Sequence, residues 1–175
     1  MFHKESAEKV EPRAAVAIIR SLMPTEAILL LRRASNTRDP WSGHFAFPGG
    51  RWEKRDKSIY ETCIREVCEE TGITLFPESL EYVLVPSYAG RNVKAPVLVQ
   101  PYLFGFSNRP EVIVEPSEID SYLWIETDLF RDTRKHIETE PLPGKFRPAF
   151  PLGDYYVWGF TYHLLCSVLQ VDPGL

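Results

Sequence analysis

Three glutamates crowd the segment Arg65-Glu66-Val67-Cys68-Glu69-Glu70-Thr71-Gly72-Ile73, and the run Pro48-Gly49-Gly50 lies shortly before it. Carboxylates are the natural ligands of hard divalent cations such as Mg²⁺ and Mn²⁺. Glycines without side chains let a backbone approach an ion or a phosphate closely. Together these residue types suit a site that holds divalent cations against a phosphorylated ligand. Either half alone says less, because acidic helix faces are usually solvated and Pro-Gly-Gly is by itself an ordinary tight turn. Like charges one helical turn apart oppose helix formation by about 0.2–0.5 kcal/mol per pair. A carboxylate cluster that costs stability therefore suggests a cation.

The elements that must position these groups are legible around them. Ser58 followed by Glu61 is a capping-box pattern that starts a helix. Ile59, Cys63, Ile64 and Val67 form its core-facing stripe, and Gly72 offers a glycine C-cap. The exposed side of this helix carries Glu66, Glu69 and Glu70. Ahead of it, 44–47 reads as a brief strand that ends in the Pro48-Gly49-Gly50 turn. Further upstream, 14–20 and 27–31 are apolar, partly β-branched runs and read as a hairpin of buried strands. The polar stretch 32–43 is a loop in which Arg32, Arg33 and Arg38 could meet an anion, although each taken singly reads as a solvated charge.

Downstream of Gly72, 80–85 and 97–106 read as strands joined by a polar loop. Tyr88 and Arg91 in that loop are either ligand contacts or ordinary loop residues. An acidic loop, 111–120, precedes a strand at 122–125 and a helical turn at 127–130. The charged, proline-rich stretch 131–149 reads as an extended excursion over the surface. A last short strand at 155–157 leads to a helix over 159–169, with Phe160, Leu164, Leu165 and Val168 on one stripe. His163 falls off that stripe and has no neighbouring histidine or cysteine, which leaves it structural.

Composition narrows the class. A chain of 175 residues with 44% hydrophobic residues suits one domain with a sizeable core. The net charge of −4, without a block of Lys or Arg, argues against a nucleic-acid polymer as partner. No apolar run is long enough to span a membrane. Residues 1–12 are polar and of mixed charge, so they read as a loosely ordered N-terminal segment rather than a secretory signal. Cys63, Cys68 and Cys166 form no disulfide framework and no metal-type spacing. They fit core thiols in a reducing, cytoplasmic setting.

The block 65–73 resembles the second half of the signature of the Nudix hydrolases, Arg-Glu-U-x-Glu-Glu-x-Gly-U, where U is a bulky aliphatic residue. That half is present in full, and the resemblance extends more loosely to Phe47-Pro48-Gly49-Gly50 and Trp124-Ile125. The first half departs from the pattern. Gly50 lies one residue further from Arg65 than the signature has it, and Asp56 stands in for the first glutamate. The extra residue falls in the loop 51–57, where an insertion is tolerated. Within the family the chain looks most like coenzyme A pyrophosphatase-like members, through Arg33-Ala34, the segment 43–50 and Trp158-Gly159-Phe160-Thr161. Asp39-Pro40-Trp41-Ser42-Gly43-His44 departs from that group.

The resemblance implies a single domain over 1–175 with an α/β/α sandwich fold, a mixed sheet between helices. It implies hydrolysis of a pyrophosphate bond in a nucleoside diphosphate linked to another moiety, with coenzyme A or a derivative as candidate substrate. ADP-ribose, nucleotide sugars and (deoxy)nucleoside triphosphates stay open, as does a catalytically silent nucleotide-binding regulator. Mg²⁺ or Mn²⁺ would be held by Glu66, Glu69 and Glu70, with the Gly49 carbonyl as a further ligand. Arg65, Glu66, Glu69 and Glu118 form the expected catalytic set, with Arg65 holding the carboxylates, Glu66 favoured as base or metal ligand, and Glu118 the downstream candidate for the base. Gly50, Arg33 and Arg51 are the expected substrate contacts. The partner is then a small nucleotide, with no nucleic-acid polymer and no membrane; the family often dimerises, and whether this chain forms a homodimer stays open.

Overall fold

Alternation along two neighbouring strands decides the layering. β1 (Ala14–Met23) and β2 (Ala27–Arg33) form an antiparallel pair in which Arg20 faces Ile28. Ala15, Ala17, Ile19, Leu29 and Leu31 point to one side of the sheet, and Ile18, Ile28 and Leu30 point to the other. Each set closes its own core cluster, so the sheet is covered on both faces. The computed structural model describes residues 10–35, 42–90 and 95–175.

The chain continues through β3 (Phe45–Ala46), β4 (Gly49–Arg51) and the helix α1 (Ile59–Thr71). Then come β5 (Leu80–Val83), β6 (Ser87–Ala89), β7 (Val97–Asn108), β8 (Ile119–Glu126) and the short helix α2 (Thr127–Arg131). It closes with β9 (Ile137–Leu142), β10 (Lys145–Leu152), β11 (Tyr155–Trp158) and α3 (Gly159–Leu169). The main sheet runs β3-β2-β1-β7-β5, with β4 beside β1, β6 beside β7 and β8 beside β2. The β1–β7 pairing is parallel and the others are antiparallel, which makes the sheet mixed.

α1 lies on the face of Ala15 and Leu29, where Cys63 and Val67 are fully buried. α3 lies on the opposite face, where Leu164, Leu165 and Leu169 join Ile18, Leu30 and Leu103. The result is the α/β/α sandwich that the sequence implies. The buried Tyr162 packs in this second core as well, and its hydroxyl hydrogen-bonds with Nδ1 of the buried His136 at 2.7 Å.

Three expectations are corrected. Pro48-Gly49-Gly50 is no turn: Gly49–Arg51 is a strand paired with β1, because glycine lets the two backbones close up. At Gly49, where φ is +147°, a Cβ would run into the Ala15 carbonyl. The stretch 131–149 is extended and mostly exposed, as expected, but it is regular sheet rather than irregular chain: it supplies β9 and most of β10, which form a second sheet with β11. Its prolines speak against strands locally, but burial of Ala149 and Phe150 beneath α3 overrides them. The cysteines are all free, yet Cys63 alone is a core thiol, since Cys68 is exposed and Cys166 half-buried. Cys68 sits on the solvent side of α1, away from the Cys63–Val67 stripe.

Candidate active site

α1 begins and ends where its sequence says. Ser58 accepts from the Glu61 N–H at 3.1 Å, the Glu61 carboxylate reaches back to the Lys57 N–H at 2.8 Å, and Gly72 closes the helix in the left-handed conformation. One face of the helix carries Arg65, Glu66 and Glu70 toward β4. Arg65 is 14% exposed and organises its surroundings. Its Nε and Nη2 grip both oxygens of Asp56 at 2.9 Å, while Nη1 donates to Glu66 at 2.8 Å and to Glu69 at 2.9 Å. Nη2 also reaches the Arg51 carbonyl at 3.2 Å.

Asp56 is buried and fully engaged, accepting as well from the Thr62 hydroxyl and the Glu53 N–H, both at 2.9 Å. The Arg65 guanidinium, followed by these further donors, holds its carboxyl well below the usual carboxylate range. Asp56 thus ties Arg65 to the first turns of α1. Within the 51–57 loop, Trp52 Nε1 donates to the Asp56 carbonyl at 3.1 Å.

The glutamates differ sharply. Glu70 is not on the exposed side of the helix as expected. It is 3% exposed, wedged between α1 and β4, and accepts from the Gly49 N–H at 2.8 Å. Burial pushes its carboxyl up to about 8, aided by the charges of Glu66 and Glu118 and opposed by the Gly49 bond and the Arg33 charge. Glu66 is largely buried too, and burial raises it despite the Arg65 contact, with Glu69 and Glu118 adding to the rise. It lies against Gly50, where a Cβ would overlap its carboxylate. Glu69 is half-exposed and turns to Arg65 and Arg55, each within 3.0 Å.

Glu118 arrives from a distant part of the chain. The strap 111–118 lies along the C-terminal end of α1, with the Ile113 N–H donating to the Thr71 carbonyl at 2.9 Å and the Glu115 N–H to the Glu70 carbonyl at 3.2 Å. The Glu118 carbonyl then accepts from the Ala34 N–H at 2.8 Å, beside Arg33 at the end of β2. Gly49, Gly50, Glu66, Glu70, Glu118 and Arg33 are therefore drawn to one place.

Arg51 points elsewhere, into a cleft shared with Arg13 and Tyr88. Arg32 lies over the Phe45 and Tyr155 rings and pairs with Asp154 at 3.4 Å. His163 is exposed beside Tyr162. Arg38, Arg91 and Asp39-Pro40-Trp41 lie outside the described residues. Sequence reasoning missed Thr62 and the Glu53 amide, which fix Asp56, and Arg55, which holds Glu69. Only the Ser58 cap, by setting the helix phase, could have pointed to Thr62.

Among the described residues, no three acidic, thiol or imidazole side chains already surround one point as an ion cage. The donor set nonetheless fits a divalent cation. Glu70 and Glu66 offer hard oxygens, and both are buried carboxylates raised by desolvation, a cost that a nearby dication relieves. No helix among the described residues is long and apolar enough to cross a membrane.

Comparison with known proteins gives this arrangement its relatives. The family model described as the NUDIX domain matches residues 11–146. A Schizosaccharomyces pombe protein of no assigned activity is 32% identical over 127 residues, 69% of this chain and 37% of that protein. The chain therefore spans little more than a third of that relative. Human mitochondrial coenzyme A diphosphatase NUDT8 is 27% identical over 175 residues, covering 95% of this chain and 72% of its own. Among solved structures, a MutT/nudix family protein from Enterococcus faecalis superposes with a TM-score of 0.65 at 17% identity, over 96% of this chain and 63% of that one. That likeness concerns the fold.

Proposed function

Because the chain belongs to the Nudix family, we propose that it is a divalent-metal-dependent hydrolase cleaving a pyrophosphate bond in a nucleoside diphosphate linked to another moiety. The observation that carries this reading is the buried Glu70 carboxyl against Gly49, with Glu66 beside it at Gly50. A carboxylate buried at such electrostatic cost, with a raised pKa, is poised for a cation. Coenzyme A is the first substrate to try, supported by the likeness to the human coenzyme A diphosphatase.

Mg²⁺ or Mn²⁺ would be held by Glu66 and Glu70, with the Gly49 carbonyl as a further ligand and Glu69 at the margin. When bound, it supplies charge neutralisation at the diphosphate and electrostatic activation of water. Arg65 fixes the carboxylates through Glu66, Glu69 and Asp56, so that their geometry does not depend on the substrate. Arg33, whose charge is felt at Glu70, meets a phosphate oxygen. Water attacks one phosphorus and its proton passes to a carboxylate. The bridging P–O bond breaks, and the other phosphate departs with its moiety. Glu118 is the better base, since its charge reaches both Glu66 and Glu70 while Glu66 is tied to Arg65.

Glu70→Gln keeps the shape and the acceptor for Gly49 but removes the charge. A panel of coenzyme A, ADP-ribose, a nucleotide sugar, a dinucleoside polyphosphate and nucleoside triphosphates, assayed with Mg²⁺ and Mn²⁺, should show at least one substrate whose turnover falls about a hundredfold or more in the variant. Full activity of Glu70→Gln on every substrate the wild type cleaves would refute the metal assignment.

A further inference from the structure

Glu118 reaches the carboxylate cluster from a turn, and one residue of that turn holds both of its ends. Residues 115–118 form the turn just before β8. The Glu115 carbonyl accepts from the Glu118 N–H at 3.1 Å and from the Ile119 N–H at 2.9 Å, which closes one helical turn. Pro116 suits the second position, because its ring presets φ for it. The Glu115 side chain then folds over the same turn. Its Oε1 accepts from the Ser117 N–H at 3.2 Å and from the Ser117 hydroxyl at 2.9 Å. One carboxylate oxygen thus takes two donors, as a cap does at the start of a longer helix.

The same residue reaches the other half of the site. The Glu115 N–H donates to the Glu70 carbonyl at 3.2 Å, in the last turn of α1. On its far side Glu118 is anchored as well. Its carbonyl accepts from Ala34, and Ile119 after it is 1% exposed in the core beneath α1. Between those anchors, the turn decides the direction in which the Glu118 side chain leaves the backbone. That direction brings its charge within reach of Glu66 and Glu70. A group that moves a proton must lie within hydrogen-bond reach of it, and an error on the order of 1 Å costs up to about a hundredfold in rate. Glu115 and Ser117 are both exposed, so core packing does not account for their pairing.

We propose that Glu115 is a positioning residue for the general base: its side chain holds the 115–118 turn closed through Ser117, and its amide keeps that turn in register with Glu70. Glu115 moves no proton itself and acts through Glu118. The proposal rests on the reading of Glu118 as base and names the residue that places it.

A double-mutant cycle tests it, with kcat and KM measured on a substrate that the wild type cleaves. Glu115→Ala should lower kcat about tenfold and leave KM nearly unchanged, because the base is misplaced while the substrate is still held. Glu115→Gln keeps an acceptor oxygen at the same reach and should restore kcat to within about threefold of the wild type. Ser117→Ala removes one of the two donors and should cost about threefold. In a Glu118→Gln background, where no base is left to place, Glu115→Ala should have no further effect on kcat. Thermal melts and calorimetric Mg²⁺ binding should match the wild type in Glu115→Ala, showing that the fold and the metal carboxylates are intact. Wild-type kcat in Glu115→Ala, a Gln variant as slow as the Ala one, or a loss that persists in full in the Glu118→Gln background overturns the proposal and leaves Glu118 as base. If Glu115→Ala does not fold, Ser117→Ala carries the same cycle. Wild-type turnover by Glu118→Gln itself removes the base reading and this proposal with it, while Glu70→Gln still decides the metal site separately.

Discussion

Glu70 carries the sharpest conflict in the molecule. It is a carboxyl at 3% exposure whose folded pKa is pushed up to about 8 from an ordinary 4.5. Between those two values the folded protein keeps a proton that the unfolded chain has released. Stability must therefore fall as pH rises from about 4.5 to 8, and above 8 the full cost is present. Glu70→Gln removes the ionisation, so the metal-free variant should melt above the wild type at pH 8.5, by on the order of a few kcal/mol, and match it near pH 4.5. Scanning calorimetry across that range checks the sign, and a wild type that gains stability over the same window would contradict the burial argument. Asp56 has the opposite linkage. Held low by Arg65, it contributes stability above its ordinary pKa and loses it as pH falls. The sequence brings these residues together in one block but does not distinguish them. Exposed Glu69 and buried Glu70 are neighbours in the chain, and only the packing of β4 against α1 separates their roles.

At the scale of the element, β4 and α1 act as one unit, and its two glycines fail differently when replaced. A Cβ at Gly50 meets the end of the Glu66 side chain, which can move at little cost to the fold but not without losing its place. Gly50→Ala should therefore keep its melting temperature nearly unchanged while kcat/KM falls about a hundredfold, as for a misplaced catalytic group. A Cβ at Gly49 meets the Ala15 backbone, which cannot yield, so Gly49→Ala should cost about 2 kcal/mol or more. A Gly50→Ala protein with wild-type kinetics would show that Glu66 does not need its observed position. α1 was legible almost to the residue, because the Ser58 cap, the Cys63–Val67 stripe and Gly72 are all local signals. β4 and β10 were not. Glycine and proline lower strand propensity; what makes Gly49–Arg51 a strand is its distant partner β1, whereas Lys145–Leu152 pairs with its sequence neighbours β9 and β11 and is held by burial of Ala149 and Phe150.

At the scale of the whole molecule, the layering was implied by the family resemblance, and the apolar runs 14–20 and 27–31 agree with it, since strands buried on both faces need cover on each. What the sequence could not supply was the route that brings Glu118 to α1, because the strap 111–118 makes its contacts through backbone amides that any residue type provides. That strap has a dynamic consequence. The Ile113 and Glu115 amides are protected from solvent exchange only while they lie on the Thr71 and Glu70 carbonyls. These two protons thus form a native clock for assembly of the site, ticking whenever the strap lifts. Adding Mg²⁺ together with a non-hydrolysable diphosphate should lengthen their exchange times by about tenfold or more, while the amide of Ile18 in the central strand barely changes. Hydrogen–deuterium exchange resolved by NMR would read this directly, and equal slowing at Ile18 would mean that the ligand tightens the whole fold rather than the strap.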